Sequence, residues 1–233
     1  MYSYKLNREL LVGVTKNLMR FQKIKNESAK KTTRPYAFLI VSMAIMINSD
    51  KIILARFAPL IALERYSMLI TFFGPITALI NTTSTSKWFS FASSRLSGML
   101  NLKIVMRTVI YIISAYLIFL LLSYLFFDNL KSLIWGNSVS TNLSLLCYFA
   151  IFSLASSLQS LFGIALTSVR GLRYQAKFMT MALPINLLFK IIMVHKFGAA
   201  GVIVINAIVF VLLLIIPSMY FLSHENISHE GDR

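Results

Sequence analysis

Two sets of residues in this chain could bind or move charge where charge is expensive. The first is Asp50-Lys51, with Arg56 further on, inside the apolar stretch that begins at Pro35. Asp50 lies fifteen positions after Pro35. On a helix rising ~1.5 Å per residue that is about 22 Å, past the middle of a ~30 Å hydrocarbon core. A charge facing lipid at that depth costs about 2.5–3.5 kcal/mol or more, so such groups face other helices or a water-filled cavity. The competing reading is a helix that tilts or ends early, leaving Asp50 and Lys51 among headgroups with Lys51 snorkelling. The second set is Asn186 and Lys190, whose spacing of four places them on one helix face. Lys190 is close enough to the Val194–His195 end of its segment that snorkelling is open to it too. Asp50 can bind a coupling cation or proton, or can neutralise Lys51 or Lys190; the sequence leaves both roles open.

Catalytic chemistry has little to work with. The chain has eight carboxylates, and only Asp50, Glu64 and Asp128 fall between the basic N-terminal segment and the tail. His195, His224 and His229 lack metal-ligand spacing, and the glycines form no phosphate-binding loop. We expect no catalytic residue, no metal and no cofactor, and a transporter or scaffold rather than an enzyme.

The elements that must position these residues follow from composition. Hydrophobic residues make up 57 % of the chain and charged residues 13 %, about half the charged share of a soluble domain. The expected class is therefore an all-α, polytopic membrane protein. The net charge of +15 is spread through short segments between apolar runs, which points to membrane topology and anionic lipid rather than nucleic acid. Residues 1–34 read as a basic amphipathic cytoplasmic segment, with Leu6, Leu10, Val14, Leu18, Phe21 and Ile24 at helical spacing. Six transmembrane helices are expected over residues 35–222, at about 36–56, 66–86, 108–127, 142–169, 178–194 and 201–222, followed by a polar cytoplasmic tail at 223–233. Gly74-Pro75 should kink the second. Ser156, Ser160, Gly163 and Thr167 form a small-residue packing stripe on the fourth. Residues 170–177 read as a short basic loop, and His195 to Gly201 as a tight turn.

From Pro35 onward the chain resembles the C-terminal half of bacterial polysaccharide flippases. These export O-antigen or exopolysaccharide repeat units and belong to the multidrug/oligosaccharidyl-lipid/polysaccharide exporter superfamily. The resemblance is carried by Asp50-Lys51-Ile52-Ile53-Leu54 in the first span and by Leu63-Glu64-Arg65-Tyr66-Ser67 opening the second, similar to the family's EALGxYS step. It continues through Ile134-Trp135-Gly136, Val169-Arg170-Gly171-Leu172-Arg173, Ile185-Asn186-Leu187 and Lys196-Phe197-Gly198-Ala199-Ala200-Gly201. Arg65 stands where the family has Gly. The resemblance implies one six-helix bundle of a MATE-like transporter fold, where the family pairs two bundles around a cavity. A missing N-terminal six-helix half, or a second chain, would supply the other wall. It further implies an undecaprenyl-diphosphate-linked oligosaccharide as substrate, moved across the bacterial inner membrane for surface polysaccharide biosynthesis. Asp50, Lys51, Arg56, Asn186 and Lys190 would line the substrate pathway, with Lys51 and Lys190 together in a cationic cavity. The alternatives are a multidrug or other small-molecule exporter of the same superfamily, or a membrane-bound polysaccharide polymerase or acyltransferase. The last would need a long polar loop that residues 128–141 do not provide.

Six spans put both termini on one side. Of the 23 Lys and Arg, seventeen fall on that side, four on the other, and Lys51 and Lys190 within spans. The positive-inside rule then makes both termini cytoplasmic. Single-cysteine variants at Ser3, Asn137 and Gly231, built with Cys147 replaced, test this in intact spheroplasts. A membrane-impermeant thiol reagent should label position 137 and spare 3 and 231; labelling at 231 but not at 137 reverses the orientation.

Overall fold

The computed structural model describes residues 33–96, 102–135 and 143–230, and among them every regular element is helical. The basic segment expected at 1–34 lies almost wholly outside the described residues, as does the end of the tail beyond Glu230. In chain order the helices are α1 (Thr33–Phe57), α2 (Leu60–Ser86), α3 (Trp88–Leu96), α4 (Leu102–Trp135), α5 (Leu143–Ala165) and α6 (Val169–Val209). A π-helical stretch, Phe210–Ile215, then leads into α7 (Ile216–Glu230). Four helical stretches are long and apolar enough to cross a membrane: Thr33–Phe57, Leu102–Phe126, Leu143–Ala165 and Arg170–His224.

Helix α5 is the centre of the bundle, packing against α2, α4, α6 and the π-helical stretch. Of its most apolar window 61 % is buried, against 17 % for α4, whose outer face exposes Ile110, Leu117, Ile118, Leu121 and Leu125. That gradient is consistent with a membrane bundle: the central helix meets protein on most sides, while the outer one exposes a broad apolar face. A string of rings joins α2 to α5 and the π-helical stretch. Tyr66 meets Phe149 edge-on at 5.9 Å, Phe149 meets Phe152 at 5.4 Å, and Phe152 meets Phe210 at 5.9 Å.

The long stretch from Val169 to Glu230 is not one rod. Asn186 and Asn206 are twenty residues apart, about 30 Å on a straight helix, yet their side chains hydrogen-bond at 3.0 Å. The chain therefore doubles back between them, and the break is at Gly198, with φ 55° and ψ −132°. Only glycine adopts that backbone without strain. Three residues on, a side chain at Gly201 would put its Cβ 2.6 Å from the Met193 carbonyl oxygen, so the two limbs close tightly just past the turn. The turn expected over 195–201 is thus concentrated in one residue, with helix on both sides. Further along, the ring of Pro217 would strike the carbonyl one turn back, and the widened π-helical turn before it relieves that clash.

Several expected loops are helical. Residues 170–177 are the first turns of α6, because Ser168 caps them: its Oγ accepts from the Gly171 amide at 3.0 Å. A side chain at Gly171 would collide with the Leu166 carbonyl, which keeps the cap compact. Helix α4 begins at Leu102 and runs to Trp135, taking in Lys103 and Arg107 ahead of the expected third span and most of the expected 128–141 loop beyond it. The tail from 223 to 230 continues α7. In each case polar residues extend a helix beyond its apolar core, which hydropathy cannot distinguish from a loop.

The two glycine environments predict opposite outcomes. Gly198→Ala should destabilise the protein by about 1–3 kcal/mol, the usual cost of a glycine-only conformation. Gly163→Ala, in the interior of α5 with no atom within 4 Å of the added Cβ, should stabilise by about 0.5–1 kcal/mol. Denaturation of the purified protein in mixed micelles, followed by circular dichroism, measures both.

Candidate functional site

Asp50 and Lys190 form an ion pair in which neither side chain reaches solvent. Asp50 Oδ1 faces the ammonium, while Oδ2 accepts from the Tyr66 hydroxyl and from Asn206 Nδ2 at 2.7 Å. The ammonium also donates to the Met46 carbonyl at 2.7 Å and to Ser49 Oγ at 3.3 Å. All three of its protons are thereby used, as a buried lysine needs. Asn206 Oδ1 in turn accepts from Asn186 Nδ2 at 3.0 Å. Asn186 Oδ1 is buried without a hydrogen-bond partner.

Local geometry explains why these residues meet. Met46, Ser49 and Asp50 are three and four apart, so the carbonyl, hydroxyl and carboxylate lie on one face of α1. Asn186 and Lys190 repeat that spacing on the first limb of α6. Pro59 starts α2 immediately after α1, its carbonyl accepting from Ala62 at 2.8 Å, and the tight reversal brings Tyr66 back beside Asp50. The return at Gly198 brings Asn206 in from the fourth side.

Of the five residues expected in the pathway, Asp50, Asn186 and Lys190 come together, all fully buried. Lys51 and Arg56 do not join them; both are exposed on the outer side of α1. Lys51 follows Asp50 by one residue, which turns it about 100° away around the helix. The expectation that Lys51 and Lys190 share one cationic cavity is therefore corrected. Lys190 is the counter-ion of Asp50 in a dry site, and Lys51 lies outside it. Tyr66 and Asn206 were not identified from the sequence as partners. The signal for Asn206 was present, since an amide in the apolar run Val202 to Phe210 needs a buried partner. Tyr66 gave none, because an aromatic at a helix start suits an interface equally well.

A second polar cluster lies among α2, α4 and α5. Thr77 Oγ1 is 2.7 Å from Ser153 Oγ and 3.0 Å from the Tyr116 hydroxyl, which is itself 2.8 Å from Ser153 Oγ and 2.9 Å from Ser157 Oγ. These groups satisfy one another and sit just beyond Pro75. The expected stripe of Ser156, Ser160, Gly163 and Thr167 is only half-buried, while Ser153 and Ser157 make the interhelical bonds. Among the described residues no group of three or more His, Cys, Asp or Glu could hold a metal ion.

A dry, paired charge behaves differently from a wet one when its partner is removed. Asp50→Asn or Lys190→Met alone should destabilise by about 3–5 kcal/mol, because each strands a group in a site built for its opposite. The double variant should recover most of that loss. Unfolding in mixed micelles reads all three, and a double variant no more stable than the singles would contradict a closed pair.

Comparison with protein-family models, with curated proteins and with solved structures finds no match to this chain.

Proposed function

We propose that this bundle forms one wall of a pathway that carries a lipid-linked oligosaccharide across the bacterial inner membrane. The observation that carries the proposal is the unequal distribution of exposed polarity. Along residues 108–126 of α4 and 178–194 of the first limb of α6 the exposed residues, apart from Ser114, Thr180 and two tyrosines, are apolar, including Leu117, Leu121, Leu188 and Ile192. The exposed charges of α4 and of this limb lie toward their ends. The exposed sides of α1 and α2 instead carry Asn48, Lys51, Arg56, Glu64, Thr71 and Thr82. Thr71 and Thr82 return their hydroxyl protons to carbonyls one turn back, at 3.1 and 2.9 Å, which lowers their cost in hydrocarbon. A full charge cannot be satisfied by its own backbone, and Lys51 carries one about 9 Å in from the end of α1, while Arg56 and Glu64 stand nearer the turn that joins α1 to α2. A water-filled cavity between this face and a second six-helix unit accommodates these groups, and two cations on its wall suit a diphosphate headgroup.

On this reading the bundle crosses the membrane six times. The 55-residue stretch Arg170–His224 is about 80 Å of helix, far beyond a ~30 Å core, and its reversal at Gly198 divides it into two crossings. Helix α2 adds another; its polar stripe lowers its mean hydropathy without shortening it. Both termini are then cytoplasmic. The buried Asp50–Lys190 pair fixes α1 against α6 and so holds the face of α1 in place.

The test uses a bacterial strain whose surface polysaccharide depends on this protein. Lys51→Gln combined with Arg56→Gln should reduce exported polysaccharide about tenfold, the worth of about one charge-assisted contact. Membrane abundance should stay unchanged, and lipid-linked oligosaccharide should accumulate in the cytoplasmic leaflet. Normal export by that variant at normal abundance contradicts the proposal.

A further inference from the structure

Helix α6 opens with three cations in one line. Arg170, Arg173 and Lys177 are spaced three and four apart, which keeps them within about 60° of the helix circumference, and all three are exposed. Among the described residues no carboxylate pairs with any of them. The opposite face, with Leu172, Gln175 and Met179, is buried against the bundle and holds the line outward. The first turn is fixed by the Ser168 cap and by the close approach of Gly171 to the Leu166 carbonyl. In the second turn the half-buried ring of Tyr174 packs against Phe178 at 4.8 Å and against Phe221 of α7 at 4.6 Å. Beyond Lys177 the same line turns apolar: Met181, Pro184 and Leu188 continue it at helical spacing, and all three are exposed. The helix from Lys177 to the reversal at Gly198 is about 31 Å long, against a hydrocarbon core of ~30 Å. In a bilayer that length puts the three cations in one headgroup layer and Met181 just inside the hydrocarbon.

We infer that this line is a binding site for an anionic phospholipid, with its phosphate at Arg170, Arg173 and Lys177 and one acyl chain along Met181, Pro184 and Leu188. The chemistry changes where the ligand's does. Two guanidinium forks match phosphate oxygens in pairs, and the lysine stem lets the third cation reach back from the apolar boundary to the same headgroup. Tyr174, between the arginines and the apolar stretch, has the amphipathic ring that suits such a boundary. The first two turns are held as helix, so the cations are presented at fixed spacing and little ordering is needed on binding. A soluble anion would engage the cations and leave Met181 and Leu188 without a role, whereas a lipid uses the whole line. The site is on α6 and draws on no residue of the polar face of α1 and α2, so it stands apart from the transport reading.

The test places a reporter beside the line. The full-length protein carrying Met181→Trp, with Trp88→Phe and Trp135→Phe, is reconstituted in phosphatidylcholine vesicles that contain a small fraction of lipid with brominated chains, which quench a tryptophan they touch. Brominated phosphatidylglycerol should associate about fivefold more strongly than brominated phosphatidylcholine, which is what one well-placed cation contributes near a membrane surface. Arg170→Gln, Arg173→Gln and Lys177→Gln together should erase that preference. Removing the same charge elsewhere, through Lys87→Gln, Arg107→Gln and Lys196→Gln, should preserve it. Equal quenching by the two lipids overturns the inference, as does a preference that survives the first triple variant. A preference lost equally in the second reports net charge rather than a site, and overturns it too. Glycerol 3-phosphate, which has no chains, should leave the quenching unchanged; relief of quenching by it would make this a soluble-anion site and contradict the inference. Circular dichroism identifies a misfolded triple variant, and in that event the comparison of the two lipids on the protein with its native charges decides.

Discussion

One carboxylate ties four helical segments together. Asp50 on α1 faces Lys190 on the first limb of α6, Tyr66 on α2 and Asn206 on the returning limb, and none of these groups reaches solvent. Desolvating two ions is so costly that a buried pair is weak evidence for net stability. Its stronger consequence is register. Helix α1 has only a third of its most apolar window buried, so apolar packing alone would let it slide or rotate at little cost. Shifting it by one residue would replace the carboxylate with Ser49 or Lys51 and leave Lys190 uncompensated in a dry site. The pair therefore fixes which face of α1 is inside and, with it, where Lys51 and Arg56 stand.

Polarity elsewhere in the bundle is handled by the same physical rule. The hydroxyls of Thr77, Tyr116, Ser153 and Ser157 bond to one another across α2, α4 and α5, so none needs water. The backbone breaks at Gly198 and widens in the π-helical turns before Pro217, while Pro75 lies inside the continuous helix α2 next to the hydroxyl cluster. Where water is scarce, a helix can bend only if side chains or neighbouring helices satisfy the freed backbone groups. Outside this scheme stand the charges on exposed surfaces, among them Lys51, Arg56 and Glu64 on α1 and α2 and Lys103, Arg107 and Lys177 toward the ends of α4 and α6.

Much of this was legible in the sequence. The apolar runs and the place of Asp50 within the first of them follow from spacing alone, and that spacing left both Lys51 and Lys190 open as its counter-ion. Spacing cannot show what a residue meets across the bundle, which is why Lys51 and Lys190 were expected to share a cavity. Helix ends were harder. A hydropathy boundary marks where apolar residues stop, whereas a helix stops where its backbone hydrogen bonds stop, and Ser168 shows that one cap can convert an expected loop into two helical turns.

The central claim is that α1 separates a dry face from a wet one, and a nitroxide scan along α1 in lipid bilayers tests it most directly. With Cys147 replaced, spin labels at positions 44 to 56 can be probed with a water-soluble nickel reagent and with oxygen. Nickel accessibility should peak at 48, 51 and 55, while 46, 53 and 54 should be shielded from both reagents, giving a helical period with its minimum on the face of Asp50. If 48, 51 and 55 instead favour oxygen as strongly as 117 and 121 of α4, that face meets lipid and the account is wrong.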